Sequence, residues 1–487
     1  MHPRVTPLPP KRVWRELTVD SPSLVHWTWL VSIFVAALAV RLHWNLEIHP
    51  LGDYVYSDMN GYVTRAQRLL RSPTEPHEYS SFFPWGTHVM LAGLMWIFGE
   101  ANYTAVGIVY ALFGATAVTF AFAAARRATA FPFVAPAVGL LGVFYYPHLS
   151  LGGYILSEVP FSMFLMGALL FALRLVDEGK HRDAWGMGWC CALGMIFRPQ
   201  MLLSAAAVGV FWLARRKQMP KLRFVHLAQS AVPLVLVGAL SSALLHFNTG
   251  RLGLVSENGS FNLVFGRCHN SRIESLPDGK GHGKVHFRPP PFLQLNNLEA
   301  ASRKEGKEPP RTLDPAIGDE LSYRGYIGDK TVHHAFIREC IEKTGWRRQL
   351  DYSMTNVMLL WRWNIPWPDS GRAVWRPPAR WWTARHREWV AIPALLGLVT
   401  IVFGGRRTVK QGLIAVNLLA LLLLAAIYFG GIRHRTPYDF VIIFLAFETY
   451  AFALRGATRL GRRLLQSVRA RSGRGPRPAQ ASSSSKK

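Results

Sequence analysis

Two carboxylates, Asp53 and Asp58, lie in the segment Gly52-Asp53-Tyr54-Val55-Tyr56-Ser57-Asp58-Met59-Asn60-Gly61-Tyr62, just after the first long apolar run of the chain. A carboxylate held between hydrocarbon and water can serve as a general base, because partial desolvation raises its pKa toward the working range. Asp58 is placed best for that chemistry, with Asp53 as its alternate. The structural reading stands beside it: Ser57 or Asp58 caps a helix covering 60–70, and the two roles are compatible. A second acid, Glu158, opens a later apolar run in Leu156-Ser157-Glu158-Val159-Pro160-Phe161, where it either meets a substrate or caps the helix. Three arginines, Arg198, Arg433 and Arg435, sit at the edges of other apolar runs. A guanidinium grips phosphate through two parallel hydrogen bonds; the alternative is that these side chains snorkel to lipid headgroups.

These groups need elements that bring them to one place. Half of the 487 residues are hydrophobic and 12% are aromatic, and the mean hydropathy is positive, which marks an integral membrane protein. A span takes roughly 20 apolar residues to cross about 30 Å of hydrocarbon. Candidate spans fall near 24–43, 104–125, 131–149, 159–175, 184–197, 200–214, 227–247, 389–404, 412–430 and 438–454. The expected fold is thus an all-α polytopic bundle of about ten transmembrane helices. The fifth and sixth spans meet at Phe197-Arg198-Pro199 and could instead be one kinked helix.

Clusters of Lys and Arg set the orientation. Arg126-Arg127, Arg215-Arg216-Lys217 and Arg406-Arg407 fall on the same side as both termini, which are then cytoplasmic. Two large loops, 44–103 and 248–388, face outward. Within the first, 84–99 reads as a juxtamembrane helix lying in the interface, since a span there would invert every basic cluster that follows. The chain divides into a cytoplasmic N-terminal tail 1–23, a membrane core 24–247 containing the first outer loop, the partly ordered long loop 248–388, C-terminal membrane helices 389–454 and a basic, disordered tail 455–487.

The net charge of +27 resides mostly in cytoplasmic loops and tail, where it sets topology and meets anionic headgroups rather than nucleic acid. The first run lacks a small-residue cleavage site and reads as a retained anchor. Four cysteines are too few for a disulfide scaffold; Cys268 and Cys340 share the long loop, where an oxidising compartment permits a bridge. Within that loop, 278–310 reads as mobile and 323–346 as partly helical. Among its histidines, His269, His282, His286, His333 and His334, a His-x-x-x-His spacing holds zinc well only on one helix face with further ligands nearby, and Gly281, Gly283 and the neighbouring prolines argue against a helix there. A transporter would place its charges near the bilayer midplane in matching repeats; here they gather at one face.

The order of motifs resembles a family. A span ends in Arg41-Leu42, followed by Asp58 and Tyr62, Phe83-Pro84-Trp85-Gly86-Thr87-His88, the Glu158 motif, Phe197-Arg198-Pro199-Gln200 and finally Arg433-His434-Arg435-Thr436-Pro437. Together they resemble the GT-C superfamily of membrane glycosyltransferases, in particular bacterial relatives of protein O-mannosyltransferases and of the lipid A aminoarabinose transferase. The chain departs from them at Asp58-Met59, where many have an Asp-Glu pair, and at His434, where many have Tyr. The resemblance implies a polyprenyl-phosphate-linked sugar donor, a lipid, glycan or protein acceptor, and a site on the outer face of a bacterial cytoplasmic membrane. It implies Asp58 as base; Asp53, Tyr62, Trp85, His88 and Glu158 as substrate-binding groups; and Arg198, Arg433 and Arg435 as holders of the donor phosphate. Tyr62 and Trp85 would stack on a sugar ring or anchor at the interface. No metal ligands are assigned and no cofactor is obligatory, though a divalent cation could assist the phosphate. The alternatives are a transporter or flippase of lipid-linked saccharides, which needs no base, and a membrane scaffold with an outer binding loop.

Overall fold

Helix α1, Ser23–His43, runs on through a π-turn, Trp44–Ile48, and delivers the chain to the loop 44–103. The computed structural model describes residues 23–268, 271–275, 282–287, 321–362, 366–403 and 409–471, and the statements below refer to these. The tail 1–22 lies outside the described residues.

Two helices build this loop, α2 (Asp58–Arg71) and α3 (Gly86–Phe98). Met59, Tyr62, Val63 and Ala66 recur at helical spacing on one face of α2. They are buried with Leu91, Ala92 and Met95 of α3 in one apolar cluster. Each such side chain is worth roughly 1.5–3 kcal/mol when fully buried, so the stripe fixes the roll of α2 and with it the direction of Asp58 at its N-terminus. At the far end of α3, Trp96, Ile97 and Phe98 remain 79%, 63% and 52% exposed, the apolar face expected of a helix lying in a membrane interface.

The membrane body continues with α4 (Tyr103–Ala128), the bent pair α5 (Val134–Phe144) and α6 (Tyr146–Gly152), α7 (Glu158–Glu178), α8 (His181–Phe197), α9 (Met201–Arg215) and α10 (Phe224–Thr249). α7 packs between α4 and α8, and α8 against α10. Asn102 caps α4 by accepting from Ala105 N–H at 3.1 Å, while α7 and α10 end on Gly179 and Gly250 at φ 66° and 68°, which a Cβ would oppose.

Six helices are long and apolar enough to cross a membrane, or seven if the α5–α6 pair, bent by 45°, is one span. The sequence reading of about ten counted three shorter segments. α8 and α9 have 17 and 15 residues, against the roughly 20 that bilayer thickness asks for; α14 (Ile392–Val402) has 11 but continues from the preceding helix through a π-turn, Arg387–Ala391. α8 and α9 are separate helices rather than one kinked rod. Arg198 is extended between them, at φ −148° and ψ 115°, because the following Pro199 disfavours the helical region.

The long loop 248–388 adds α11 (Asn258–Arg267), a three-stranded antiparallel sheet and α12 (Lys330–Arg362, broken at Gly345). The strands, β1 (Ser271–Ser275), β2 (His282–Phe287) and β3 (Leu321–Tyr326), pair in that order, so the all-α membrane body carries a small sheet outside it. Only 282–287 of the segment read as mobile, 278–310, lies within the described residues. Helix begins at Lys330, late in the stretch 323–346. A disulfide joins Cys268 to Cys340, and Arg251 pairs with Glu257 and Glu78 at 2.7 and 2.5 Å, fastening this loop to the first one.

The chain returns through α13 (Arg376–His386), α14 and α15 (Val409–Ile427). The short turn α16 (Ile432–Arg435) then leads into α17 (Asp439–Arg471). Residues 455–471, assigned to the tail from sequence, continue α17 as helix, and 472–487 lie outside the described residues.

Candidate functional site

Four charged side chains from four distant parts of the chain meet at one point. Arg433, on α16, donates from Nη1 to Asp58 Oδ2 at 2.7 Å and from Nε to Glu158 Oε1. Arg198 Nη1 reaches the same Glu158 oxygen at 2.6 Å. The side chains of Asp58, Arg433 and Arg198 keep 30%, 19% and 12% of their exposure, and Glu158 only 1%. Two carboxylates and two guanidiniums thus form a neutral quartet with its Asp58 side open.

Local sequence explains each placement. Ser57, just before Asp58, sits at φ 49° and makes no side-chain cap, so the capping alternative does not describe Ser57. A non-glycine residue in that region is strained, and such strain concentrates at functional sites. Glu158 is the first residue of α7, where the helix dipole favours a negative charge. Arg198 occupies the extended break before Pro199.

Tyr62 lies beside the quartet, buried and stacked on Phe83 with ring centroids 4.9 Å apart. Burial, together with the negative charges of Glu158 and Asp58, pushes its phenol up to about 12. It therefore stays protonated and able to donate at neutral pH.

Two residues that the sequence reading missed complete the wall. Trp367 presents its ring to the Arg433 guanidinium, 4.5 Å from centroid to Cζ, a cation–π contact. Its position is set by Asp369, a buried carboxylate that accepts from Ser150 Oγ at 2.8 Å and from the phenols of Tyr146 and Tyr154 at 3.0 Å each. Burial raises the Asp369 carboxyl to about 6. The sequence signal was Pro366-Trp367-Pro368-Asp369, a stiff turn carrying one aromatic and one acid.

The remaining predicted site residues lie elsewhere. Arg435 is fully buried; it pairs with Asp439 at 2.9 Å and donates to Leu360 O at 3.0 Å, away from the quartet. Asp53 is exposed in a 3-10 turn, Leu51–Tyr54, outside these pairings. Trp85 donates to Ser241 Oγ at 2.9 Å and, with His88, lines a separate cavity of about 100 Å3. Arg41, part of the sequence motif, binds carbonyls of Gly142 and Val143 at 3.0 and 3.2 Å, closing the end of α5. Among the described residues, no three His, Cys, Asp or Glu side chains are grouped to hold a metal. His333 donates to or accepts from Ser260 at 3.0 Å, and His269 lies outside the described residues.

Residues 84–241, about a third of the chain, match the family model described as dolichyl-phosphate-mannose-protein mannosyltransferase. The matched segment runs from just before α3 into α10, and the several long apolar helices make the chain a multi-pass membrane protein. Solved structures similar to this chain include the oligosaccharyltransferase AglB of Archaeoglobus fulgidus, in complex with an inhibitory peptide and a dolichol-phosphate, at 12% identity and TM-score 0.47. That alignment covers 92% of this chain and 52% of AglB, so the chain spans about half the length of that relative. ArnT of Cupriavidus metallidurans, bound to undecaprenyl phosphate, aligns at 16% identity and TM-score 0.36, covering 88% of this chain and 79% of ArnT. No curated protein matches the chain.

Proposed function

We propose that the quartet transfers a sugar from a polyprenyl-phosphate donor to an acceptor hydroxyl, with inversion at the anomeric carbon, on the outer face of a bacterial cytoplasmic membrane. The observation that carries this reading is Arg433. It bridges Asp58 and Glu158, which stand 375 and 275 residues away in sequence, and thereby joins a base, a second acid and two phosphate-binding cations.

The acceptor oxygen attacks the anomeric carbon as the bond from that carbon to the phosphate oxygen breaks. Asp58 takes the acceptor proton, a contribution typically worth about 10²–10⁴ in rate. Arg433 and Arg198 take up the charge that accumulates on the departing lipid phosphate. Because the resting quartet is neutral, an arriving phosphate must share Arg433 with Asp58. That competition loosens the aspartate and frees it to accept a proton. Glu158 holds the two arginines and can meet sugar hydroxyls, while Tyr62 and Trp367 supply a phenol donor and an aromatic face. The charge stabilisation comes from guanidiniums, so the reading makes no metal obligatory, although a divalent cation could assist. The disulfide between Cys268 and Cys340 supports an oxidising, outward location for the loop that carries it.

The test uses the full-length protein in liposomes with labelled polyprenyl-phosphate sugar. Label transferred to an acceptor, and lost in Asp58→Asn, is the expected result. Movement of label between leaflets without transfer would make the protein a flippase, and neither event would leave a scaffold.

A further inference from the structure

The cavity lined by Trp85 and His88 lies apart from the quartet and has its own charge. Asp58 and Arg65 both belong to α2, seven residues or about 10 Å apart along the helix, and the stacked Tyr62–Phe83 pair stands beside both groups. Arg65 is 1% exposed, yet it is given no carboxylate: it donates to Tyr79 O at 2.8 Å and Gly61 O at 2.7 Å, and lies against the rings of Tyr79 and Phe83. Its Nη2 has no hydrogen-bond partner, and neither does Nδ1 of His88, which is 5% exposed. Both residues line the cavity of about 100 Å3, as do Arg68, Asn248 and an exposed Glu75.

Two buried polar groups aimed into one hollow without partners each forgo hydrogen bonds that a ligand would restore. A neighbouring pair of arginines selects a tetrahedral oxyanion. The far wall, Ser241, Leu244 and Phe247, belongs to the outer end of α10. Val235, Leu236 and Leu240 of the same helix are 67%, 58% and 50% exposed, an apolar flank on which acyl chains can lie.

We infer that this cavity binds the phosphate of an anionic bilayer phospholipid in the outer leaflet, with Arg65 and His88 as its buried donors and Arg68 as a second cation. The lipid would lock α2 and α3 onto α10 and so steady the helix that presents Asp58. The inference rests on binding geometry alone and stands whether or not the quartet transfers sugar.

Native mass spectrometry of the full-length protein tests it, with phosphatidylglycerol, diacylglycerol, a polyprenyl phosphate and inorganic phosphate each offered as probe. Retention of phosphatidylglycerol is expected to fall by roughly tenfold to a hundredfold in Arg65→Ala and to survive in Arg433→Lys. Because Arg65 also ties α2 to the 78–81 turn, Leu244→Trp serves as a second variant that fills the cavity from α10 and leaves that tie intact; the same loss is expected. Unchanged retention in the cavity-filling variant, equal retention of diacylglycerol, capture of inorganic phosphate alone, or loss confined to polyprenyl phosphate would each overturn the assignment.

Discussion

Arg433 and Arg435 stand two residues apart on one helical turn, and each pairs with an aspartate, yet the two pairs are built for different work. Two residues turn a helix by about 200°, so the side chains leave on opposite sides. Arg433 reaches outward to Asp58, across 375 residues, in a pair whose members keep 19% and 30% of their exposure. Arg435 turns inward to Asp439, four residues along, with no exposure on either partner. Asp439 also accepts from Tyr145 Oη at 3.0 Å, and that phenol is in contact with His386. The inner pair has its hydrogen bonds satisfied by fixed protein groups, whereas the outer pair is long-range, partly wet and walled by Trp367. Identical chemistry therefore supports packing in one place, while in the other solvent access leaves the pair open to the ligand exchange that the proposed function assigns to it.

Substitutions sharpen that contrast. The largest effect is expected from Asp58→Asn: transfer falls by about 10²–10⁴, measured as product from labelled donor, while size-exclusion behaviour and thermal stability remain near wild type. Arg435→Ala is expected to do the reverse. It strands Asp439 in the interior and costs about 3–5 kcal/mol of stability, read as a large drop in unfolding temperature in detergent. If Arg435→Ala left stability intact and removed only turnover, the division between the two pairs would fail.

Another buried carboxylate adds a pH test. Asp369 titrates near 6 in the fold against roughly 3.9 in an unfolded chain. The raised pKa means that its contribution is full below the unfolded value and lost as pH rises through about 6, a change on the order of 3 kcal/mol. Asp369→Asn should flatten the dependence of unfolding temperature on pH between about 4 and 6; an unchanged slope would remove Asp369 as its source. The smallest effect is expected from Trp367→Ala, about 0.5–2 kcal/mol, seen as a weaker apparent affinity for donor with the fold retained.

The legible part of this molecule was the part written in local pattern. Asp58, Glu158, Arg198 and Arg433 each interrupt or border an apolar run, where an ionisable group is costly unless partnered, and all four meet. The same rule also selected Arg435 and Arg41, because hydropathy does not record which way a side chain leaves its helix. Trp85 and His88 were found as a motif but line the neighbouring cavity, since the roll of α3 is set by packing on α2. Asp369 escaped because its partners, Tyr146, Ser150 and Tyr154, lie more than two hundred residues earlier, and Trp367 because its cation, Arg433, comes from a later helical turn. The sheet in the loop 248–388 is hard to see in sequence because its strands are only five or six residues long and stand among Gly, Pro and charged residues. By length and composition six or seven of the ten segments qualify as spans, because α8 and α9 fall short of the full bilayer and α14 joins a charged stretch at Arg385-His386-Arg387-Glu388.

A density map of the full-length protein with bound polyprenyl phosphate tests the central claim most directly. The account predicts phosphate oxygens within hydrogen-bond distance of Arg433 and Arg198, with Asp58 released from Arg433 and turned toward open solvent. A phosphate lodged instead in the Arg65 cavity, with the Asp58–Arg433 pair unbroken, would contradict it.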